Sequence, residues 1–150
     1  MPRGGRARVI LRPAEAADSP RCADIFLAGR RAACPGRPPD RFRLQDYYAS
    51  VVGEEVWVAE AGGDVVGFIS AALPDNVIQN LFVDAGWRNR GIGRDLLNCA
   101  LSHLGRVVHL RCSARNHAAR GFYRRNGWVE IESEANGDTV LYRKIICLRA

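Results

Sequence analysis

One stretch of the sequence decides the fold: VIQNLFV at residues 77–83, DAGW at 84–87 and RNRGIGR at 88–94. The β-branched and aromatic residues of 77–83 favour a strand. Apolar residues then recur at helical spacing as far as Leu104, which predicts a helix with one apolar face that Gly105 ends. The stretch therefore predicts a strand, a glycine-containing loop and a helix in that order.

The predicted loop has the features that an anionic ligand needs. Gly91 and Gly93 lack a Cβ atom, so the backbone can approach a ligand closely. The first turn of a helix presents N–H groups that have no partner within the helix. Arg88, Arg90 and Arg94 add positive charge. The loop lacks the third glycine of a dinucleotide fold and the G-K-[ST] of a triphosphate loop, so by itself it fits a tight turn equally well.

The remaining elements follow from caps, turns and apolar periodicity. Before the loop we predict a strand at 7–12 ended by Pro13, a helix from Asp18 to Pro35, a second helix from about Pro39 to Val52, and a hairpin at 55–61 and 65–70. After it we predict a strand at 106–112, parallel to 77–83, then a helix capped by Asn116 and ended by Gly127, and a hairpin at 128–134 and 139–148 around Asn136-Gly137. The strands at 55–83 form an antiparallel meander that leads into the loop.

Length and composition indicate one soluble domain. The chain has 150 residues, of which 47% are hydrophobic and 25% charged, so we expect a single domain over residues 1–150. No apolar run approaches the roughly 18 residues of a membrane helix, and residues 1–8 lack a signal-peptide core. We therefore expect a cytoplasmic protein without a membrane partner. The five cysteines include no C-x-x-C pair, and the three histidines lack metal-ligand spacing, so we expect reduced cysteines and no metal.

The net charge of +6 comes almost entirely from arginine, since Lys144 is the only lysine. This imbalance reflects an arginine-rich coding bias, so the positions of the arginines say more than their number. They concentrate around the loop and in residues 111–125, which suits a polyphosphate ligand and would also attract nucleic acid. Because no helix-turn-helix, zinc-finger or ribonucleoprotein motif is visible, we do not expect a nucleic-acid partner.

Two motifs carry a resemblance to a known family. The first is R-x-x-G-x-G at 88–93, preceded by a strand that ends Leu81-Phe82-Val83, and the second is N-x-x-A-x-x-F-Y-x-x-x-G-W at 116–128. In this order and spacing, nearly the whole chain resembles the GNAT superfamily of acetyl-coenzyme A dependent N-acetyltransferases. The resemblance implies an α/β (α+β) fold: a mixed, mostly antiparallel sheet of six to seven strands with a central splayed parallel pair, and about four helices.

The resemblance also implies a site for acetyl-coenzyme A as cosubstrate. The loop and helix start would hold the pyrophosphate, and backbone groups near Leu81 and Val83 would bind the pantetheine arm like an added strand. An amide near Leu81 would polarise the thioester carbonyl, and Tyr123 would protonate the departing thiolate. The implied cofactor-binding residues are Leu81, Phe82, Val83, Arg88, Asn89, Arg90, Gly91, Ile92, Gly93, Arg94, Asn116 and Tyr123, with Tyr123 and Leu81 also catalytic.

Several roles have structural alternatives. Without the resemblance, a core aromatic beside Phe122 is the preferred interpretation of Tyr123, and Asn116 caps its helix, contacts the pantetheine or does both. The expected reaction is direct attack of an amine on the thioester in a ternary complex. A cysteine nucleophile is the competing mechanism, but no cysteine has a neighbouring histidine, and Cys112 is more typical of packing.

No general base can be assigned from the sequence. Some relatives carry a glutamate early in the central strand, where this chain has Val77. Gln79 and Asn80 could orient a water, and the carboxylates that could accept a proton through it are Asp75, Asp84 and Glu134. Loss of the amine proton to solvent is the remaining alternative.

Charge and sheet edges bear on the acceptor and on the assembly state. Arginines in the predicted first helices favour an acceptor with a carboxylate, such as an amino acid or peptide, over a polyamine. The alternative functions are an acyl-coenzyme A sensor of the same fold, suggested by the missing glutamate, and a basic nucleic-acid-binding module, which has the least support. An exposed edge strand at the C terminus would allow a homodimer.

Overall fold

The computed structural model describes residues 8–33, 36–133 and 137–146. The candidate base Glu134, the turn residue Asn136, the predicted helix end at Pro35 and the last residues of the predicted C-terminal strand lie outside these ranges. Within them, no helix combines the length and apolar character needed to cross a bilayer.

A mixed seven-stranded sheet forms the centre of the described structure. Its strands are β1 (Val9–Pro13), β2 (Glu55–Ala61), β3 (Asp64–Ala72), β4 (Val77–Val83), β5 (Val107–Ser113), β6 (Val129–Ser133) and β7 (Thr139–Ile145). They lie in the order β1-β2-β3-β4-β5-β7-β6, and only the β4–β5 pair is parallel. The predicted mixed sheet and the meander of β2, β3 and β4 are therefore confirmed.

Four α-helices cover the two faces of this sheet in the described residues. They are α1 (Ser19–Ala33), α2 (Gln45–Ser50), α3 (Ile92–Leu101) and α4 (His117–Arg125). On one face α3 and α4 pack over a core that includes Leu96, Leu97 and Tyr142. On the other face α1 and α2 enclose a smaller core around Phe26 and Phe68. The edges of β4 and β5 therefore lie between two helical layers.

Two helix boundaries differ from the prediction. The predicted second helix begins as a short 3-10 turn, Pro39–Arg41, and its α-helical part is only α2, because Phe42 is extended (φ −107°, ψ 128°) and its side chain is buried. Helix α3 ends before Leu104: Ser102 caps it, the Ser102 hydroxyl donates to the Cys99 carbonyl at 2.6 Å, and the next residue, His103, stacks on Trp57. In both places a tertiary contact ends a helix that local propensity would extend.

Strand ends also differ slightly from the prediction. Pro13 belongs to β1 and pairs with Trp57, which an edge strand allows because its proline needs no N–H partner on the solvent side. The C-terminal strand β7 is paired on both sides, with β5 and β6. The exposed edge at this end of the sheet is therefore β6, the first strand of the C-terminal hairpin.

Candidate active site

Strands β4 and β5 separate after a short parallel contact. Their ladder contains only the pairs Val77–His109 and Ile78–Leu110. From Gln79 to Val83, β4 has no backbone partner in β5. This divergence opens a gap in the middle of the sheet, with α1 on one side and α4 on the other.

A β-bulge sets which backbone groups of β4 face that gap. The β3–β4 register shifts between Ser70 and Ala71, which leaves Gln79 as the extra residue on β4. Beyond the bulge, Asp84 N–H donates to the Val66 carbonyl at 2.8 Å. In an antiparallel pair, every second residue of a strand forms its backbone hydrogen bonds with the same neighbouring strand. Phe82 and Asn80, two and four residues before Asp84, therefore bond to β3 as Asp84 does. The amides of Leu81 and Val83 therefore point towards the gap.

The loop that follows β4 reaches α3 through a left-handed residue. Gly91 is the N-cap of α3 with φ 81° and ψ 5°, a conformation that costs a residue with a Cβ atom about 1–2 kcal/mol. An adjoining cavity of about 610 Å³ is lined by the loop and by the start of α3, including Arg88, Asn89, Ile92 and Arg94. Arg88 and Arg94 form no ion pair with any residue in the described ranges. The loop thus combines open helix amides with uncompensated positive charge.

Arg90 has a different environment. Its guanidinium lies over the Trp87 ring, 4.6 Å from the ring centroid, a cation–π geometry. It lines another cavity, to which Val9 also contributes. Of the predicted cofactor-binding residues, Arg90 is the one that lines neither the gap nor the loop cavity.

A second cavity of about 350 Å³ continues from the loop into the gap between β4 and α4. Val83, Arg88 and Gly93 line both this cavity and the loop cavity. Its other walls include Leu81, Phe82, Asn116 and Tyr123, all of which were predicted, and Ala119 and Phe122 of α4. The loop cavity and this second cavity together form one groove. All of the predicted residues except Arg90 line this groove.

Helix α1 contributes small residues to this groove, which the sequence analysis did not identify. Gly29, Ala32 and Ala33 line the second cavity. A Cβ atom on Gly29 would lie 2.3 Å from Cδ1 of Phe82, so the helix approaches β4 closely only because residue 29 is glycine. The sequence signal was the small-residue face of α1, which by itself is too common to indicate a site.

Tyr123 lies where the groove meets the sheet. Its ring contacts Phe122, Trp128 and Tyr142 with centroid distances of 5.3 to 6.0 Å. Burial, with smaller contributions from Cys112 and Tyr142, raises the pKa of the Tyr123 phenol above its ordinary value. Its hydroxyl makes no hydrogen bond to a residue of the described ranges. The core role and the cavity position therefore coexist in one residue whose proton stays on oxygen.

Asn116 is the side-chain cap of α4. Its Oδ1 accepts a hydrogen bond from Ala119 N–H at 3.1 Å, as the capping prediction required. Its side-chain nitrogen has no hydrogen-bond partner among the described residues, and Asn116 lines the groove. The structure therefore confirms the cap, and it leaves the two N–H donors of the Asn116 carboxamide without a partner among the described residues.

The far end of the groove is a third cavity of about 280 Å³. It shares Leu81, Asn116 and Tyr123 with the second cavity and adds Gln79, Asn80 and Cys112. Arginines continue outward from it: Arg30 and Arg111 line it, and Arg30, Arg37 and Arg115 line the neighbouring surface cavity together with one acidic residue, Asp138. Arginines therefore outnumber carboxylates at this end.

The proposed proton acceptors are not brought to this end of the groove. Asp84 lies at the opposite end of β4, where it accepts from Gly86 N–H and pairs with Arg21 at 3.2 Å. Asp75 lies in the turn before β4 and lines none of the three cavities. Among the described residues that line the third cavity there is no carboxylate.

Cys112 is close to Tyr123 but is not activated. Burial raises the pKa of its thiol to about 11, because the thiolate would lose its hydration. Its sulfur lies 3.5 Å from the Ser113 carbonyl oxygen. A protonated, buried thiol is typical of a packing residue.

Comparisons with known structures agree with this architecture. The PaiA N-acetyltransferase of Thermoplasma acidophilum, solved in complex with coenzyme A, has a TM-score of 0.79 at 15% identity, over 93% of this chain and 99% of that one. A GNAT family acetyltransferase of Elizabethkingia anophelis, solved with acetyl-coenzyme A bound, has a TM-score of 0.71 at 15% identity, over 92% and 98% of the two chains. The fold is therefore the GNAT fold.

Sequence comparisons identify the family. The model of the acetyltransferase (GNAT) domain matches residues 52–130, which is 79 of the 150 residues. A probable N-acetyltransferase of Mycobacterium tuberculosis is 40% identical over 77 residues, which are 47% of this chain and 44% of that protein. The chain belongs to the GNAT acetyltransferase family, a class of acyltransferases. The matched region spans less than half the length of this curated relative.

Proposed function

We propose that this protein is an N-acetyltransferase that moves an acetyl group from acetyl-coenzyme A to a primary amine of a small molecule, amino acid or peptide. The observation that carries the proposal is the groove itself. It runs without a break from the arginine-containing loop, along the free edge of β4, to Tyr123. Those features supply an anion site, a strand edge and a proton donor in the order in which coenzyme A presents a diphosphate, an amide-bearing arm and a thioester.

The diphosphate is assigned to the loop. Arg88 and Arg94 and the open amides at the start of α3 favour a dianion there, since a helix N-terminus carries partial positive charge. Gly91 and Gly93 keep the approach open. Coenzyme A is present in the relative from Thermoplasma acidophilum, and acetyl-coenzyme A in the one from Elizabethkingia anophelis, which supports an acetyl donor here.

The transfer step is assigned to Leu81 and Tyr123. The pantetheine arm would pair with the free edge of β4, and the Leu81 amide would stabilise the negative charge on the thioester oxygen. The amine nitrogen attacks the carbonyl carbon, so a C–N bond forms as the C–S bond breaks. Tyr123 gives its proton to the leaving sulfur. The nitrogen loses its proton to solvent, and solvent reprotonates Tyr123. Both substrates are bound at once, so proximity replaces a covalent intermediate.

The acceptor is proposed to carry a carboxylate. Arginine is the side chain best suited to hold a carboxylate. Among the described residues, the outer end of the groove is lined by one carboxylate, Asp138, and by four arginines: Arg30, Arg37, Arg111 and Arg115. A polyamine would be repelled by the same charges. Amino acids and peptides are therefore favoured over polyamines and aminoglycosides.

A binding measurement followed by an activity panel tests the proposal. Isothermal titration is expected to show acetyl-coenzyme A binding, and free thiol should appear when carboxylate-bearing amines are added. Reversal of the loop charge in the double variant Arg88→Glu with Arg94→Glu should weaken binding at least 10-fold, about 1.4 kcal/mol. Arg143→Glu, on the exposed surface of β7, changes charge in the same sense outside the groove and serves as the control. A protein that does not bind acetyl-coenzyme A would contradict the proposal.

The second candidate is an acyl-coenzyme A sensor with little transferase activity. The absence of a carboxylate among the described residues that line the third cavity favours it, since a protonated amine cannot attack. Acetyl-coenzyme A binding without thiol release across the whole amine panel would support the sensor. Turnover with any primary amine that exceeds thioester hydrolysis would exclude it.

We also propose that two copies pair through β6. All five of its residues are exposed, and Val129 and Ile131 add apolar surface. The strand is bulged at Ile131, between the pairs of Glu130 and Glu132, so few backbone bonds can form and the pairing should be weak.

A further inference from the structure

A polar cluster lies directly beside the acceptor end of the groove. Asn80 is half-buried and lines the third cavity, next to Leu81. Its side-chain nitrogen donates two hydrogen bonds, to Ser50 Oγ at 3.1 Å and to Ser70 Oγ at 2.9 Å. Ser70 is fully buried, in the middle of β3. The cluster connects α2 and two strands through one carboxamide.

Ser50 determines which way the Asn80 carboxamide is turned. The Ser50 hydroxyl lies 3.0 Å from the Tyr47 carbonyl oxygen, which can only accept a hydrogen bond. The Ser50 hydroxyl therefore donates its single proton to the Tyr47 carbonyl, and it can only accept a hydrogen bond from Asn80. The atom of Asn80 that faces Ser50 must be the nitrogen, since the oxygen would meet a lone pair there.

Ser70 is the second acceptor of the Asn80 carboxamide. Its oxygen lies 2.9 Å from the Asn80 nitrogen. The nearby Glu54 carboxyl has one oxygen, Oε2, that is buried without a hydrogen-bond partner in the described structure. Burial raises the pKa of Glu54, and the hydrogen bond from Ser70 acts in the opposite direction. Two serines thus hold both amide hydrogens of Asn80.

The oxygen of Asn80 is left for a ligand. Asn80 Oδ1 has no hydrogen-bond partner among the described residues, although Asn80 lines the cavity where the thioester and the amine would meet. A fixed acceptor of this kind fits a neutral amine: one N–H bonds to Oδ1, and the lone pair remains for attack. The Leu81 amide, on the next residue, would hold the carbonyl that is attacked.

We propose that Asn80 is a catalytic residue whose Oδ1 accepts a hydrogen bond from the attacking amine, with Ser50 and Ser70 as positioning residues that fix its orientation. The proposal rests on the transferase function proposed above. It adds a specific contact for the acceptor nitrogen in the third cavity, whose described lining contains no carboxylate.

Two variants of Asn80 test the contact. Asn80→Leu keeps the size and removes the acceptor, and Asn80→Ser keeps polarity for Ser50 and Ser70 in case the first variant does not fold. For either, kcat/KM for the acceptor should fall about 10- to 100-fold, as expected for the loss of one well-placed hydrogen bond. The Kd of acetyl-coenzyme A, measured by titration, should stay within about twofold, because the diphosphate and pantetheine contacts remain. Asn98→Leu, on the exposed face of α3, is the matched control.

Ser50→Ala separates positioning from stability. It frees the carboxamide to rotate, so the acceptor KM should rise while the Kd of acetyl-coenzyme A does not change. A purely structural cluster would lower Tm in these variants and leave acceptor kinetics within twofold of wild type, and that result would overturn the role of Asn80. If the wild-type protein itself fails to bind acetyl-coenzyme A or to release thiol with any amine, the proposed function fails, and the role of Asn80 with it.

Discussion

Tyr123 shows how a side chain can belong to the core and to a site at once. Three aromatic rings surround it, yet it forms part of the groove wall. Its pKa is raised because burial disfavours the phenolate, so the phenol is protonated at neutral pH. A protonated phenol has a proton to give to a leaving thiolate and cannot take one from the amine.

Tyr123→Phe is expected to lower kcat by about 100-fold or more, because general-acid catalysis contributes about 100- to 10,000-fold. The Kd of acetyl-coenzyme A should change little, since the ring remains. In the wild-type protein, phenol ionisation should not reduce kcat up to the ordinary tyrosine pKa of 10.0, because burial moves this pKa upward. A pH–rate profile measured with chemistry rate-limiting checks both points, with Tyr48→Phe, at an exposed tyrosine of α2, as control. Full turnover in Tyr123→Phe would refute the acid role.

Cys112 distinguishes direct transfer from a covalent route. With a thiol pKa of about 11, roughly one molecule in ten thousand carries the thiolate at pH 7. We expect Cys112→Ser to keep kcat within about threefold, which steady-state thiol release measures. We also expect no acetylated cysteine in intact-mass spectra of protein mixed with acetyl-coenzyme A alone. An acetyl-cysteine that an added amine discharges would establish the covalent route instead.

At the scale of elements, the loop and the start of α3 act as one unit. The N-cap is a glycine with positive φ, and an added Cβ would lie 3.3 Å from the Arg94 guanidinium. The lack of a side chain at Gly91 therefore serves two purposes: it allows the turn into α3, and it keeps the approach to the α3 amides open. Comparison with a second glycine of positive φ separates the effect of Gly91 on stability from its effect on ligand affinity.

Gly91→Ala and Gly62→Ala make that comparison. Both glycines have positive φ, 81° and 59°, so either alanine should lower the free energy of unfolding by about 1–2 kcal/mol in urea titrations. Gly62 lies in the β2–β3 hairpin, where a Cβ would meet nothing within 4 Å. Only Gly91→Ala should weaken acetyl-coenzyme A binding, by about 10-fold or 1.4 kcal/mol. Equal affinities in the two variants would show that the diphosphate does not bind at this loop.

At the scale of the whole molecule, the two ends of the sheet differ. At one end Arg12 of β1 pairs with Asp18 at 2.7 Å and Glu60 at 3.1 Å, so charge covers the edge. At the other end β6 is exposed throughout.

The single-domain prediction stays a prediction, because the curated relative extends beyond the matched region.

We expect a weak homodimer through β6. Light scattering over a concentration series should show the mass rise from monomer towards dimer, and Ile131→Lys should abolish the rise, because a charge on the edge opposes strand pairing. Val52→Lys adds the same charge at an exposed apolar position outside β6 and should leave the dimer intact. A constant monomer mass across the series would contradict the pairing.

The sequence by itself determined the order of elements and the position of the loop. Those depend on local signals: the β-branched run at 77–83, the Asn116 cap and glycines such as Gly127, which has φ 85°. The boundaries of β4 were predicted as observed. The two motifs also carried the family, because each lies within one short segment whose spacing is fixed by the helix or loop that contains it.

Only the tertiary structure decided what faces the groove. The β4–β5 ladder stops after two pairs, a bulge at Gln79 turns the Leu81 amide into the gap, and Phe42 shortens α2 by taking a buried position. The orientation of Asn80 depends on Ser50, 30 residues away in the chain. Such contacts join residues that are far apart in the sequence. Packing between the layers sets their geometry, so the periodicity of either segment cannot predict it.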